Sequence, residues 1–333
     1  MTALKRLLGE RRLVVGIFAV VCAGVIPAAN AAGPSATEVV DALNAVFGKH
    51  KARAAHAKGQ CVAGTFTPAA GIADVTRSAS FAKSSPVLGR FSMGGGNPRI
   101  PDASKGAPRA FAFRVDPDGK SSDFAFISAP VHFAKAPAQM KAFLEVRVPG
   151  PDGKPDAEKI KAFTAANPNT AIQGKWLAEH PVPASYAGVS YWGVHAFTLT
   201  DAKGTARVAK LKLMPAAGDR SLTDDEAKAK PADFYVAELQ EQLAKGSVAF
   251  KLVAILGEAG DPTDDITAMW PEASRKTVDI GTIAVTKIED NARCDAGIFD
   301  PTQLADGIAG PDNDPMFAIR SEAYAVSLSR RAN

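Results

Sequence analysis

The spacing of hydrophobic residues changes along the chain, from the period of a helix near the start to the period of strands further on. The capping box Ser35-Ala-Thr-Glu38 precedes apolar residues at three- and four-residue spacing, namely Val39, Val40, Leu43, Val46 and Phe47. Gly48 follows directly, and glycine commonly ends a helix. The pattern therefore predicts a helix between Ser35 and Gly48.

Alternation of apolar and polar residues first appears in a run that begins at Gly59, which predicts a strand. Residues 66–91 are predicted to be rich in loops, and residues 94–108 to form a long excursion, because glycine and proline are dense there. Apolar residues alternate again at 111–115 and lead into Asp116-Pro-Asp-Gly119, a sequence typical of a hairpin turn. A hairpin is therefore predicted at this point.

The pattern after the hairpin predicts three helices and four strands. The helices are expected over residues 137–146, 156–166 and 232–245, and the strands over residues 196–200, 205–213, 248–256 and 277–288. Antiparallel strands with helices inserted between them predict an α+β chain built on a barrel or a large curled sheet. No repeat or clean boundary divides it, so residues 32–333 are predicted to form a single domain.

The first 31 residues have the composition of a secretory signal peptide. Basic residues precede the apolar run 13–26, and Ala29-Asn-Ala31 supplies the small-residue cleavage pattern. The run is too short for a membrane span. We expect cleavage after Ala31 and a periplasmic or secreted location; the pair Arg11-Arg12 leaves a twin-arginine route open.

Charge and cysteine content limit the partners. Removing residues 1–31 takes away four basic residues and one acidic residue, which lowers the net charge from +4 to +1. No pattern indicates a nucleic-acid surface, and no later apolar run reaches the length of a membrane span. Cys61 and Cys294 remain after the leader, and the sequence leaves open whether they form a disulfide or stay as two buried thiols.

Two short segments carry candidate chemistry. Near the start, His56 is flanked by Arg53 and Lys58; near the end, Arg320 stands four residues before Tyr324. A single histidine after a helix is more often structural than catalytic. The two segments together, however, resemble the two haem-binding halves of the catalase family.

Further motifs, in the same order, are similar to those of that family and of its short, exported catalase-related peroxidases. They are Arg90-Phe-Ser92, Pro108-Arg-Ala-Phe-Ala112, Phe126-Ile-Ser-Ala-Pro130, Pro183-Ala-Ser-Tyr186, Gly193-Val-His-Ala-Phe197, Trp270-Pro271 and Phe299-Asp-Pro301. The likeness covers about residues 35–332. It implies a closed antiparallel β-barrel with inserted and C-terminal helices, and haem b bound between the segment around His56 and the helix that carries Tyr324.

The resemblance implies a role for each residue of the site. Tyr324 would bind the haem iron as a phenolate, and Arg320, one helical turn earlier, would stabilise that oxygen. On the opposite haem face, His56 would accept the peroxide proton and return it to the leaving oxygen. Ser92 would hydrogen-bond the other imidazole nitrogen and fix the tautomer.

Five more residues match haem-contacting positions of the family. Arg53, Arg90 and Arg331 would hold the haem propionates, because the guanidinium fork binds a carboxylate with two hydrogen bonds. Phe126 and Phe133 would pack on the macrocycle, with ordinary core packing as the alternative for both.

Two departures from the family pattern predict weak peroxide disproportionation. Ser121 is assigned to the position where catalases have an asparagine above the haem, and residues 210–213 stand where a histidine behind the proximal arginine is expected. His195 matches a family position but is assigned to the barrel. The histidines predicted to be structural or solvent-facing are His50, His132 and His180.

The sequence therefore predicts an exported haem peroxidase that reduces H2O2 or organic hydroperoxides with small organic electron donors, without nucleic-acid or membrane partners. One alternative is a tyrosine-ligated hydroperoxide isomerase of the allene oxide synthase type. Another is a haem-binding carrier without turnover, which would have no use for a base at His56. A solute-binding protein without haem would need two α/β lobes, and the pattern does not contain them.

Overall fold

In the computed structural model, which describes residues 33–116 and 118–332, ten strands form one antiparallel sheet. They are β1 (Gly59–Pro68), β2 (Ser85–Met93), β3 (Arg109–Val115), β4 (Ser122–Ile127), β5 (Tyr191–Trp192), β6 (Phe197–Thr200), β7 (Ala206–Pro215), β8 (Val248–Leu256), β9 (Thr277–Ile288) and β10 (Ile308–Ala309). The ring β1-β2-β3-β4-β5-β7-β8-β9 closes where β9 pairs with β1, and β6 and β10 extend from β7. The α+β fold on a closed antiparallel barrel is thereby confirmed.

Ten helices lie within the same described ranges. They are α1 (Ala36–Phe47), α2 (Ala79–Ala82), α3 (Pro137–Glu145), α4 (Ala157–Ala166), α5 (Ile172–Glu179), α6 (Asp224–Ala229), α7 (Phe234–Ala244), α8 (Asn291–Asp295), α9 (Pro315–Ala318) and α10 (Arg320–Ala332). The predicted capping box of α1 is present, with both reciprocal bonds between Ser35 and Glu38. No helix in the described part is long and apolar enough to cross a membrane. The predicted leader lies outside the described residues.

Side chains of the barrel strands alternate between the interior and the outer face. One level of the interior is formed by Phe91, Phe111 and Phe126, which are at most 1% exposed. The neighbouring level is formed by Ser92, Ala110 and Ile127. Ser92 pairs with Ala110, and Ala110 pairs with Ile127. Because successive strand residues face opposite sides, these three point out of the barrel on one face.

The segment predicted to be rich in loops, residues 66–91, consists largely of turns and short helices over residues 69–84, but its last part belongs to β2, so the prediction is wrong there. Most residues of β2 are buried on both faces, including Arg90 and Ser92 on the outer side. The segment 48–58 lies over that outer face through contacts with Arg90 and Ser92. A strand that is covered on both faces has no row of solvent-exposed residues. Its sequence therefore lacks the alternation of apolar and polar residues that identifies a strand.

A second, smaller hydrophobic cluster lies outside the barrel and joins α1, α3, α10 and the segment before β1. Its buried members include Val40, Leu43, Ala54 and Leu144. An ion pair of 2.7 Å between Arg330 and Asp41 also ties α10 to α1. The segment that carries His56 is therefore held between the barrel wall and the C-terminal helix.

Cys61 on β1 and Cys294 on α8 form a disulfide, with 5.7 Å between their Cα atoms. The sequence left this pairing open. The bridge joins positions 233 residues apart and packs with Phe299 against the outer face of the barrel. It therefore ties the loop around α8 to the first barrel strand.

Replacing both Cys61 and Cys294 by alanine should lower the free energy of unfolding by about 2–5 kcal/mol, because the unfolded chain regains the freedom that a long closed loop removes. Urea denaturation of the oxidised wild type and the double variant measures the difference. An unchanged unfolding midpoint with an unchanged slope would contradict a stabilising role of the bridge.

Candidate active site

His56 lies in the segment between α1 and β1, with a φ of 56°. That left-handed backbone conformation is uncommon for residues other than glycine. Nδ1 of His56 lies 3.3 Å from Oγ of Ser92 on β2. Since Ser92 points out of the barrel, the imidazole lies on the outer face of its wall, in the pairing that the sequence predicts.

The side chain of Arg90 holds the main chain around His56. Its two terminal nitrogens donate to the carbonyl oxygens of His56, at 2.8 Å, and of Ala57, at 2.9 Å. A Cβ atom at Gly59 would lie 2.7 Å from Cζ of Arg90, so glycine is needed for this close approach. Arg90 was predicted to hold a haem propionate, but two of its three guanidinium nitrogens are occupied by these carbonyl oxygens. The third, Nε, has no partner among the described residues.

Burial, followed by the nearby charges of Arg90 and Arg320, lowers the pKa of His56 from 6.5 to about 3. The imidazole is therefore neutral at neutral pH. When Nδ1–H donates to Ser92, the lone pair remains on Nε2, which has no partner among the described residues. A neutral imidazole with a free ring nitrogen can accept a proton from a bound substrate.

Arg320 and Tyr324 occupy the first turns of α10, on one helix face as predicted. A terminal nitrogen of Arg320 donates to the hydroxyl oxygen of Tyr324 at 2.5 Å. The backbone N–H of Ala54, two residues before His56, donates to Oγ of Ser327 at 3.2 Å. The two segments singled out in the sequence therefore meet, and α10 lies directly on the loop that carries His56.

Arg320 is held in turn by His195 and Asp314. Its other terminal nitrogen donates to Nε2 of His195 at 2.8 Å, and Nδ1 of His195 donates to Oδ2 of Asp314 at 2.6 Å. Burial lowers the pKa of His195 to about 4, so the ring is neutral and each of its nitrogens has one partner. The second oxygen of Asp314 caps α9 by accepting from the N–H groups of Met316 and Phe317.

This chain of hydrogen bonds corrects the prediction that no histidine stands behind the proximal arginine. His195 takes that position, whereas residues 210–213 lie on β7 in the barrel wall. The motif Gly193-Val-His-Ala-Phe197 carried the signal, which was assigned to the barrel alone. Asp314 was recognisable in the sequence only as a helix cap before Pro315, because its partner is 119 residues away.

Arg53 and Arg331 converge on the C-terminal end of α8 and the residues that follow it. Arg53 donates to the carboxylate of Asp295 and, at 2.7 Å, to the carbonyl oxygen of Cys294. Arg331 donates to the carbonyl oxygen of Gly297 at 2.5 Å. Its buried Nε has no hydrogen-bond partner among the described residues. The two arginines therefore have donors left over beyond those that the protein itself uses.

The charge of this cluster fits the two propionates of a haem. Arg53, Arg90 and Arg331 are close enough to influence one another electrostatically, and Asp295 is the carboxylate among them. Burial lowers the pKa values of Arg90 and Arg331 to about 10, and both stay protonated at neutral pH. Three positive charges against one negative charge leave an excess of two, which a dianion would neutralise.

Ser121 lies at the wrong end of the barrel for contact with His56. It precedes β4, and its hydroxyl oxygen accepts from Nε2 of Gln303 at 2.5 Å. The level of Ser92 is reached at the other end of β4, by Ile127. Six residues of extended chain span about 20 Å, so the assignment of Ser121 to a position above the haem is wrong.

Phe126 packs inside the barrel, so the prediction that it lies on the macrocycle is also wrong. Its ring meets that of Phe113 edge-on at 5.5 Å, and it lies against Gly193. Strand alternation sends Phe126 inward because Ile127 points outward. Phe133 is half-buried, outside the barrel strands, with its ring 4.5 Å from that of Phe143. Its contact with haem stays a prediction.

One histidine that the sequence assigned to a structural role lies close to the site. His132 is close enough to act electrostatically on His56, and the charge of Arg320 contributes to lowering the pKa of His132. His50 and His180 contact main-chain carbonyl oxygens, at 2.6 Å in both cases. The motif comparison missed His132 because it matches no family position.

The assembled site places a neutral proton acceptor near a phenol that is hydrogen-bonded to a cation, beside a cluster with two excess positive charges. A phenol oxygen held by a guanidinium can bind a ferric ion as a phenolate. The residues present therefore fit a dianionic iron porphyrin.

Comparison with known proteins agrees with this geometry. The model of the catalase family matches residues 43–332. The chain is 35% identical over 307 residues to a catalase-related peroxidase of Synechococcus elongatus, and the match covers 90% of each chain. It is 30% identical over 305 residues to a catalase-related peroxidase of Mycolicibacterium paratuberculosis, covering 90% of this chain and 95% of that relative.

Solved catalase structures share the fold. A fungal catalase superposes with a TM-score of 0.75 at 23% identity, covering 84% of this chain and 59% of its own. Catalase A from Saccharomyces cerevisiae gives 0.74 at 22% identity, covering 84% of this chain and 61% of its own. The chain thus spans about three fifths of these larger proteins.

Proposed function

The chain belongs to the catalase family, and on that premise we propose that it is a haem-dependent peroxidase that reduces hydrogen peroxide or organic hydroperoxides with small organic electron donors. One observation carries this proposal. The hydrogen-bonded series Asp314–His195–Arg320–Tyr324 lies close to the pair His56–Ser92, and the charge of Arg320 acts on His56. A haem carrier without turnover would have no use for a neutral imidazole held in this way.

We propose haem b as the cofactor, held by Tyr324 at the iron and by Arg53, Arg331 and Nε of Arg90 at the propionates. Covalent attachment through thioethers needs free cysteines, and Cys61 and Cys294, the cysteines of the described residues, are paired with each other. When bound, the haem iron supplies the centre at which the peroxide O–O bond is cleaved and the oxidising equivalents are stored.

The protein residues handle the charge and the proton. Arg320 donates to the Tyr324 oxygen and would stabilise the negative charge that this oxygen carries as an iron ligand, while His195 and Asp314 keep the guanidinium in place. Ser92 accepts from Nδ1 of His56 and leaves the lone pair on Nε2. That nitrogen accepts a proton from one peroxide oxygen and returns it to the other, which leaves as water.

The outward-facing position on β4 at the level of Ser92 favours peroxidase over catalase activity. Disproportionation needs a second peroxide to be held close to His56, and an amide side chain could donate a hydrogen bond to it. Ile127 occupies this position and packs with Val194, Ile266 and Met316. An aliphatic side chain has no donor, so we propose that organic donors supply most of the electrons.

We also propose export to the periplasm or the medium. The signal-peptide pattern of residues 1–31 supports it. So does the Cys61–Cys294 disulfide, because such bonds persist mainly in oxidising compartments.

The purified protein should bind haemin and consume peroxide with phenolic or amine donors, while evolving oxygen slowly. A ferric spectrum of the tyrosine-ligated type, stopped-flow peroxide consumption and an oxygen electrode measure the three properties on one preparation. A protein that takes up no haemin, or that evolves oxygen rapidly without oxidising any organic donor, would contradict the proposal.

Ile127→Asn is the matched variant for the oxygen measurement. It should raise oxygen evolution relative to donor oxidation, because it introduces an amide donor on the face of β4 that carries the site. Ser121→Asn, directly before the other end of β4, is the control and should leave the ratio unchanged.

A further inference from the structure

We propose that His132 is the proton acceptor for the organic donor, and that this donor is a phenol or another compound with an ionisable O–H or N–H group. This inference rests on the proposed peroxidase function and adds to it the class of the second substrate and the residue that receives it.

The first argument is the position of His132. The residue follows β4 on the loop that continues from Ile127, and its backbone N–H donates to the carbonyl oxygen of Ile266 at 2.8 Å. Ile127, Ile266 and Met316 belong to one hydrophobic cluster, and Met316 lies on α9, just before α10. His132 is thus built into the wall that connects the His56 side of the site with the Tyr324 side.

The second argument is the hydrogen bonding of the ring, which parallels that of His56. Nδ1 of His132 lies 3.0 Å from the carbonyl oxygen of Ala134, as Nδ1 of His56 lies 3.3 Å from Oγ of Ser92. The backbone N–H of Ala134 also lies 3.2 Å from Nδ1, so Ala134 is compatible with a proton on either ring nitrogen. With the proton on Nδ1, which the carbonyl oxygen accepts, the lone pair is on Nε2. Among the described residues, Nε2 of His132 has no partner. The ring of Phe133, with its centroid 4.2 Å away, fixes the plane of the imidazole.

The third argument is charge. Burial lowers the pKa of His132 to about 4, and Arg320 and His195 act in the same direction, while Ala134 and Asp314 act against it. His56 also interacts electrostatically with His132. These groups together determine the protonation state of His132. The site therefore holds two neutral imidazoles with free Nε2 atoms, although cleavage of peroxide uses only one of them.

The second imidazole suits the other half of the peroxidase cycle. With haem bound, the oxidant that one peroxide generates there would take one electron from a phenol, whose O–H bond must then also release a proton. That proton would go to Nε2 of His132, a phenoxyl radical would leave, and His132 would pass the proton on to the remaining peroxide oxygen. Two phenols would be consumed for each peroxide, and their two protons would complete the second water. A phenol that is losing an electron is strongly acidic, so a weakly basic imidazole is sufficient as acceptor.

Two variants test this role in the haem-loaded protein. His132→Phe keeps a ring against Phe133 but removes the acceptor, and His132→Gln keeps polarity without a basic nitrogen. Both should slow oxidation of phenol by at least about 10²-fold, as expected for loss of a general base. Oxidation of ferrocyanide, which gives up an electron without a proton, and the initial reaction with peroxide should be unchanged.

A binding measurement without peroxide provides an independent readout. Calorimetric titration of the resting protein with phenol and with anisole, its O-methyl ether, should show preference for phenol, and the His132→Phe variant should lose about 5-fold of that preference. His180→Phe removes an exposed histidine that contacts the carbonyl oxygen of Trp176, and is the matched control.

The pattern of losses separates this inference from the proposed function. Equal losses for phenol and ferrocyanide in both variants, or no loss for either donor, would overturn the role of His132 while the wild type remained a peroxidase. Failure of the wild type to bind haemin or to react with peroxide would instead overturn the proposed function.

Discussion

Tyr324→Phe should yield a folded protein that no longer retains haem. The phenol oxygen is the proposed iron ligand, and it accepts a hydrogen bond from Arg320 at 2.5 Å. Loss of even an outer-shell partner of a metal ligand costs about 10–100-fold in affinity, so loss of the ligand itself should weaken haemin binding by at least about 10²-fold. Haemin titration of the haem-free protein, followed by its absorption, measures the change.

Two further variants give this experiment its contrast. Tyr191→Phe makes the same chemical change inside the barrel, where the hydroxyl donates to the carbonyl oxygen of Tyr186, and should leave haemin binding intact. Arg320→Ala removes the donor but keeps the ligand, so haem should remain bound with an altered spectrum and reduction potential. Native haem content and spectrum in Tyr324→Phe would refute the assignment.

His56→Ala should retain haem but react with peroxide about 10²–10⁴-fold more slowly, the usual contribution of a general acid–base group. Nε2 of His56 has no hydrogen-bond partner among the described residues, so it is free to accept the peroxide proton. The rate of the first reaction with peroxide, measured by stopped flow, reports this step directly. An unchanged rate would rule the role out.

The backbone at His56 requires a second variant. Alanine is strained at a φ of 56°, whereas asparagine tolerates this conformation better. His56→Asn should therefore show the kinetic loss with less effect on stability. His50→Ala, which removes a partly buried histidine that contacts the carbonyl oxygen of Gly96, is the control and should react normally.

The pH dependence of this step follows from the sign of the pKa shift. Burial and nearby cations disfavour the imidazolium, so the pKa of His56 falls from 6.5 to about 3. The base is then neutral at every pH above about 4. The rate of the first reaction with peroxide should stay flat between pH 5 and 8 on this account. A rise through pH 6.5 would show that His56 titrates normally, and would contradict the electrostatic picture of the site.

Local hydrophobic periodicity correctly predicted those helices and strands whose pattern lies within one continuous segment of the sequence. The strands β8 (Val248–Leu256) and β9 (Thr277–Ile288) have the expected bounds, and α1 lies between its predicted caps. β2 was missed because burial on both faces removes the alternation that identifies a strand. The relation between Arg320 and Tyr324 was predictable for the same reason as the helix, since residues four apart share one helix face.

The ordered motifs identified the family, but the roles of single residues depended on contacts that sequence distance hides. His195 reaches Arg320 across 125 residues, and Arg90 turns its guanidinium to the main chain of His56 rather than leaving it wholly for an anion. Cys61 and Cys294 meet across 233 residues. Each of these pairings depends on how the strands are aligned around the barrel.

The sequence by itself therefore determined the barrel with its helices, the family, and the two segments that build the site, because these depend on local patterns and on motif order. The tertiary structure decided which face of β4 meets the site. A shift of one strand position exchanges the inner and outer faces, which is why Ile127 faces the site and Phe126 does not. Because of the length of β4, Ser121 lies at the end of the strand away from the site. The loop after β4 places His132 close enough to His56 for the two to interact electrostatically. Register and loop path are cooperative properties of the closed sheet, and no local window of residues contains them.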